Sequence, residues 1–128
     1  MVEDIVTTTL LRIIRLQGGA VFGVKRFQKL VFLLKHEHGV PLPFPFRDYK
    51  YGPYSRELKA FVDSMVRRGL ITRQRKGKCD VIQLTDSGTA LEKSAVDFDY
   101  PNSIFKLDDP LLVSQAYAVR DKLKAASS

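Results

Sequence analysis

The fold is decided by residues 55–84, which read SRELKAFVDSMVRRGLITRQRKGKCDVIQL. Apolar side chains recur at the spacing of one helical face through the first part of this stretch and just before it, at Tyr54, Leu58, Phe61, Val62, Met65 and Val66. This pattern predicts an amphipathic helix. Pro53 suits the first turn of that helix, and Gly69 suits the left-handed residue that ends it.

The second part of the stretch predicts a β-hairpin. Residues 71–75 and 78–84 are rich in strand-forming side chains, and Lys76-Gly77 lies between them as a tight turn. A helix followed at once by a hairpin is therefore expected at the centre of the chain.

Two more helices are predicted upstream. The first runs from a cap at Asp4 to about Leu16, and the second, at 24–38, has apolar residues at helical spacing. Residues 40–53 hold four of the six prolines, which predicts an extended connector with at most a short edge strand.

Two helices are also predicted downstream of the hairpin. Thr85 is the expected N-cap of a helix that reaches about Ala95. A last helix starts at Asp109-Pro110 and continues to about Ala125.

These elements fit one domain of 128 residues. The fold class is α+β and mostly helical, specifically a winged helix-turn-helix with an added N-terminal helix and a C-terminal helix. Residues 24–95 form the helix-turn-helix and wing in this interpretation, and residues 97–128 form a C-terminal helical extension.

Two motif sets resemble known families. The pattern S-x-x-L … G-L-I-x-R … L-T-x-x-G, spread over residues 55–88, resembles that of many winged-helix regulators. Upstream, RFQKLVFLL at 26–34 and YKYGPYSRE at 49–57 resemble the paired motifs of Panacea antitoxin-like domains and of YwgA-like proteins. The second resemblance implies a compact helical domain associated with toxin neutralisation or regulation.

The positive charge is concentrated in one segment. The chain has a formal net charge of +7, and residues 56–78 hold eight basic and two acidic residues, whereas residues 79–128 are net acidic. Such asymmetry attracts polyanions to one face. The alternative is an ordinary solvated basic surface, or a hairpin edge that is protected from aggregation by its charges.

The candidate DNA-binding residues lie on the predicted third helix and the hairpin: Tyr54, Ser55, Arg56, Lys59, Ala60, Arg67, Arg73, Arg75, Lys76 and Lys78. In a winged helix this helix enters the major groove, where an arginine can bind guanine, and the wing contacts the DNA backbone. Asp63 either forms ion pairs with Lys59 and Arg67 or accepts from cytosine N4.

The sequence offers no chemistry for catalysis, a metal or a cofactor. His36 and His38 diverge by about 200° on a helix, so they are not expected to share a metal ion. A single cysteine, Cys79, excludes an internal disulfide and favours a reducing, cytoplasmic setting. No apolar run approaches the roughly 18 residues of a membrane span.

The sequence therefore predicts a non-enzymatic protein that binds double-stranded DNA, either sequence-specifically or generally, as a small transcriptional regulator. The alternative is an antitoxin-like or adaptor module that binds a protein partner on the same scaffold without DNA. The last helix has a predicted apolar stripe at Leu111, Leu112, Gln115, Val119 and Leu123. This stripe either forms a homodimer or packs on the first helix.

Overall fold

The computed structural model describes residues 2–50, 52–95 and 106–127. Over these residues the protein is α+β, and its helices are α1 Val2–Leu16, α2 Val24–His36, α3 Arg56–Arg67, α4 Asp86–Glu92 and α5 Asp109–Ser127. The strands are β1 Ala20–Phe22, β2 Arg47–Tyr49, β3 Gly52–Tyr54, β4 Ile71–Lys76 and β5 Cys79–Leu84. The first part of the expected 97–128 extension, as far as residue 105, lies outside the described residues.

Strands β1, β5 and β4 form one antiparallel sheet in that order. The predicted β4–β5 hairpin is confirmed, and β1 joins it with Val21 opposite Ile82. Both of these side chains are fully buried, so one face of the sheet closes the core. Strand β1 has only three residues and was not predicted, because its pairing depends on β5, which follows about sixty residues later.

Helix α3 is confirmed, but its start differs from the prediction. Ser55 is the N-cap, and its hydroxyl accepts a hydrogen bond from the backbone N–H of Leu58 at 3.1 Å. Pro53 is not in the first helical turn; it lies in β3, opposite Asp48. Gly69 follows the helix with φ of 74°, as expected for a left-handed residue at a helix end.

The proline-rich connector contributes to the core. Val40, Leu42 and Phe44 alternate with exposed prolines and are buried. The connector then forms the β2–β3 hairpin, which is more regular structure than the single edge strand expected from the prolines.

Helix α1 is an integral part of the core, not an addition to it. Leu10, Leu11, Ile13 and Ile14 have no exposed surface. The helix begins at Val2, two residues before the expected cap at Asp4. Three consecutive threonines, at 7–9, lie within this helix, and the hydroxyl of Thr9 donates to the carbonyl of Ile5 at 2.7 Å.

Helix α4 is held close to the hairpin. The predicted N-cap is confirmed, since the Thr85 hydroxyl accepts from the N–H of Gly88 at 3.0 Å. A Cβ atom added at Gly88 would lie 2.0 Å from the carbonyl oxygen of Leu70, so only glycine fits there. The helix ends at Glu92, three residues earlier than expected.

Helix α5 packs mainly against α2 and β3, not against α1. Its buried residues are Leu112, Ala116 and Val119. Of the predicted stripe only Leu112 and Val119 are buried. Leu111 and Leu123 are 54% and 41% exposed, and Gln115 is also exposed, so the prediction was wrong at these three positions. Ala116 is also buried on α5, although the sequence did not indicate this, because a side chain as small as that of alanine does not stand out in an apolar pattern.

A buried carboxylate joins α4 to α1. Glu92 is 4% exposed and accepts hydrogen bonds from Arg12 and, at 2.6 Å, from Arg15. Burial raises the pKa of Glu92, but the hydrogen bonds from Arg15 and Arg12 outweigh it and hold the pKa below its usual value. Folding therefore favours the ionised carboxylate.

We expect Glu92→Gln to lower the free energy of unfolding at neutral pH by about 2–3 kcal/mol, since two arginines lose their anion. The stabilisation from Glu92 is complete above the unfolded-state pKa of about 4.3 and is lost as the pH falls through the lower folded-state pKa. Urea unfolding of both proteins between about pH 7 and pH 3 should show the two stabilities converging at acid pH. A constant difference across this range would contradict the assignment.

Candidate nucleic-acid interface

A pair of hydrogen bonds fixes α3 against α2. The side-chain amide of Gln28 donates to the carbonyl of Ser55 at 2.9 Å, and its oxygen accepts from the N–H of Ser55 at 2.8 Å. Gln28 is 2% exposed and Ser55 is 1% exposed, so water does not compete for these bonds. We call this pair the Gln28–Ser55 clasp.

The clasp changes the role that sequence analysis gave to Ser55. Its backbone is held by Gln28 and its hydroxyl caps α3, so the side chain is enclosed within the protein. Ser55 therefore orients the helix and does not lie on the outer surface. Gln28 was not identified from the sequence, where its only signal is a polar residue within an apolar helix.

The outer face of α3 is formed by the residues expected there. Arg56, Lys59, Ala60 and Arg67 are exposed, while Leu58, Val62 and Met65 are buried on the opposite side. The next residue, Arg68, turns away from this face and donates to the hydroxyl of Thr7 at 3.2 Å.

Asp63 connects the outer face of α3 to the β4–β5 hairpin. Its carboxylate accepts from Lys59 at 3.1 Å and from Arg73 at 2.6 Å. Sequence analysis gave Arg67, not Arg73, as the second partner. The Arg73 pair forms where strand β4 lies alongside α3. It reduces the net positive charge at their junction.

The tip of the hairpin carries the remaining basic residues. Arg75 is 65% exposed at its side chain and lies 3.4 Å from Asp80, the residue opposite it on β5. Lys76 and Lys78 flank Gly77 and are exposed. Within the part of the chain that the structure describes, neither lysine forms an ion pair.

We call the combined surface the basic face, defined by Arg56, Lys59, Arg67, Arg73, Arg75, Lys76 and Lys78. Ion pairs to Asp63 and Asp80 hold three of its members, and the others are available to an anion. The face is therefore basic but is interrupted by two carboxylates.

Tyr54 lies beside the basic face in strand β3. Its ring meets that of Tyr49 edge-on, with centroids 5.6 Å apart, and the Arg56 guanidinium lies 5.8 Å from the Tyr49 centroid. Nearby, Arg47 lies 3.4 Å from Glu57. The pKa of Glu57 lies below its usual value, first because a backbone hydrogen bond stabilises its carboxylate and also because Arg47 is close.

Basic residues of α2 meet the hairpin on a second side. Lys25, Arg26 and Lys29 line a cavity of about 400 Å³ together with Arg75 and Lys78. Lys25 is exposed, Arg26 is half-buried and Lys29 is buried, so Lys25 and Arg26 extend the positive surface beyond α3.

Comparisons with protein-family models, curated proteins and solved structures find no match to this chain. Among the described residues, no helix has the length and apolar character needed to cross a membrane. No group of three or more His, Cys, Asp or Glu in these residues is arranged to hold a metal ion.

We expect Gln28→Ala to lower the free energy of unfolding by about 2–3 kcal/mol, because it leaves the buried N–H of Ser55 without an acceptor. Gln115→Ala is the matched control, since Gln115 is exposed on α5, and it should change stability by less than about 0.5 kcal/mol. Urea unfolding measures both. Equal effects of the two variants would argue against the clasp.

Proposed function

We propose that the protein binds double-stranded DNA through a winged helix-turn-helix and acts as a small transcriptional regulator. The order of helices, together with a sheet in the order β1-β5-β4, supports this architecture. The observation that carries the proposal is the Arg73–Asp63 ion pair, which brings strand β4 of the hairpin into contact with the outer face of α3.

In this proposal α3 enters the major groove. Its exposed face from Arg56 to Arg67 is roughly 16 Å long, which suits contact with a few consecutive base pairs. Ala60 lies between the charged residues on this face. Because its side chain is short, the helix can approach the base edges closely at this point. Arg56 is the candidate for guanine recognition, because its guanidinium can donate two parallel hydrogen bonds.

The hairpin then contacts the sugar–phosphate backbone. Lys76 and Lys78 extend from its tip without local acidic partners among the described residues. If about four to seven phosphates are contacted in all, log affinity should fall against log salt with a slope of about −4 to −6. A gel-shift titration with random duplex measures this slope.

Lys76→Ala combined with Lys78→Ala should weaken binding to all duplexes similarly and make the salt slope shallower by about 2, since two phosphate contacts are lost. The matched control is Lys93→Ala with Lys122→Ala, which removes the same charge from two exposed positions, one just after α4 and one on α5. Equal losses of affinity in both double variants would contradict phosphate contact by Lys76 and Lys78, because that result would reflect the change in net charge alone.

Asp63→Asn tests how the carboxylate acts on the basic face. We expect tighter binding to random duplex, because the change removes a negative charge and releases Lys59 and Arg73 for phosphate contact. The gain should be about three- to tenfold at low salt and should shrink as salt rises. Weaker binding confined to sites with cytosine would instead assign Asp63 to base recognition.

An antitoxin-like or adaptor module is the second candidate. Ile5, Leu111 and Leu123 are exposed apolar side chains outside the basic face, and they favour contact with a protein. A homodimer through α5 would use Leu111 and Leu123, since Leu112 and Val119 are buried within the same chain. Absence of DNA binding at low salt would favour this candidate, and sedimentation at micromolar concentration tests the dimer.

A further inference from the structure

A compact apolar cavity lies between α2, the β2–β3 hairpin and the start of α3. Its volume is about 340 Å³, at the lower end of the range for small-molecule sites. Such a volume suits a compound of one or two fused rings. The cavity is separate from the outer surface of α3, although Arg56 contributes to both.

The apolar part of the lining is suited to a flat ring. Tyr49 and Tyr54 present rings that are 81° apart, and Pro53 and Gly52 complete this side with buried backbone. A planar aromatic guest can stack on one tyrosine while its edge meets the other, which are the two geometries that aromatic pairs prefer.

Three of the lining residues are basic, although the surface that they present to the cavity is almost entirely apolar. Lys25, Lys29 and Arg56 line the cavity, and its described lining contains no acidic side chain. Arg56 already lies 5.8 Å from the Tyr49 centroid, within the range of a cation–π contact. A guest that has an aromatic ring and a carboxylate could therefore stack on the tyrosines and accept from the guanidinium at once.

The part of the lining that Gln28 forms is held in place without a bound ligand. Gln28 lines the cavity, and its side chain is held by both hydrogen bonds of the Gln28–Ser55 clasp. A preformed site binds more tightly, because less conformational entropy is lost on association.

We propose that this cavity binds a small planar aromatic carboxylate, with Arg56 holding the carboxylate and Tyr49 and Tyr54 holding the ring. Since Arg56 also belongs to the basic face, the bound compound withdraws it from DNA and weakens DNA binding. This second step rests on the proposed function, whereas the binding site itself does not.

Calorimetric titration with 2-naphthoate, in the absence of DNA, tests the site. We expect 2-naphthoate to bind. The neutral analogue 2-naphthamide should bind at least about tenfold more weakly than 2-naphthoate, because it cannot form the charge-assisted hydrogen bond. Arg56→Met should weaken 2-naphthoate binding by a similar factor, and Tyr49→Leu should weaken both compounds. Lys93→Met, which removes an exposed cation just after α4, should leave binding unchanged.

Arg56 and Tyr49 are exposed, and thermal unfolding of each variant verifies that it is folded. No binding of 2-naphthoate by the folded wild-type chain would overturn the proposal. Equal affinities for the acid and the amide, or an equal loss in Lys93→Met, would overturn the role of Arg56.

A gel shift with saturating 2-naphthoate tests the link to DNA. We expect 2-naphthoate to weaken DNA binding by the wild-type chain and to leave DNA binding by Arg56→Met unchanged. DNA binding without 2-naphthoate binding would refute this inference and leave the proposed function standing. Binding of 2-naphthoate by a chain that binds no duplex would refute the proposed function and retain the site.

Discussion

The Gln28–Ser55 clasp is the constraint on which the other features of the candidate site depend. It holds the N-cap residue, Ser55, and the first helical residue, Arg56, is therefore placed at the outer edge of α3. The same two hydrogen bonds hold one wall of the tyrosine cavity. A single side chain of α2 thus determines both which surface α3 presents and whether the cavity next to it has a defined shape.

The basic face combines several cations with two carboxylates that hold some of them in place. Packed cations on neighbouring elements repel each other, and Asp63 and Asp80 relieve this repulsion by accepting from Lys59, Arg73 and Arg75. The cost is a lower positive potential where α3 meets the hairpin. Lys76 and Lys78 at the tip have no such partner among the described residues, so their charge is not offset by Asp63 or Asp80.

Local patterns in the sequence were sufficient for the elements that depend on near neighbours. Helical spacing predicted α3, and Gly77 predicted the turn between β4 and β5. Features set by distant residues were missed. Strand β1 exists because β5 pairs with it, and Arg73 reaches Asp63 because the sheet lies against α3, so neither has a signal in its own segment. Leu111 was misplaced because apolar character alone does not reveal which side of α5 is covered.

The first residue of strand β3, Gly52, lies between α5 and the cavity, and this placement limits sequence variation. Gly52 has φ of 103°, and a Cβ atom there would lie 3.2 Å from the ring of Tyr117. The backbone at position 52 forms part of the cavity lining on one side and meets the α5 tyrosine on the other. Positions 52 and 117 are therefore not free to drift independently: a larger residue at either one must be matched by retreat at the other, and the cavity changes shape with them.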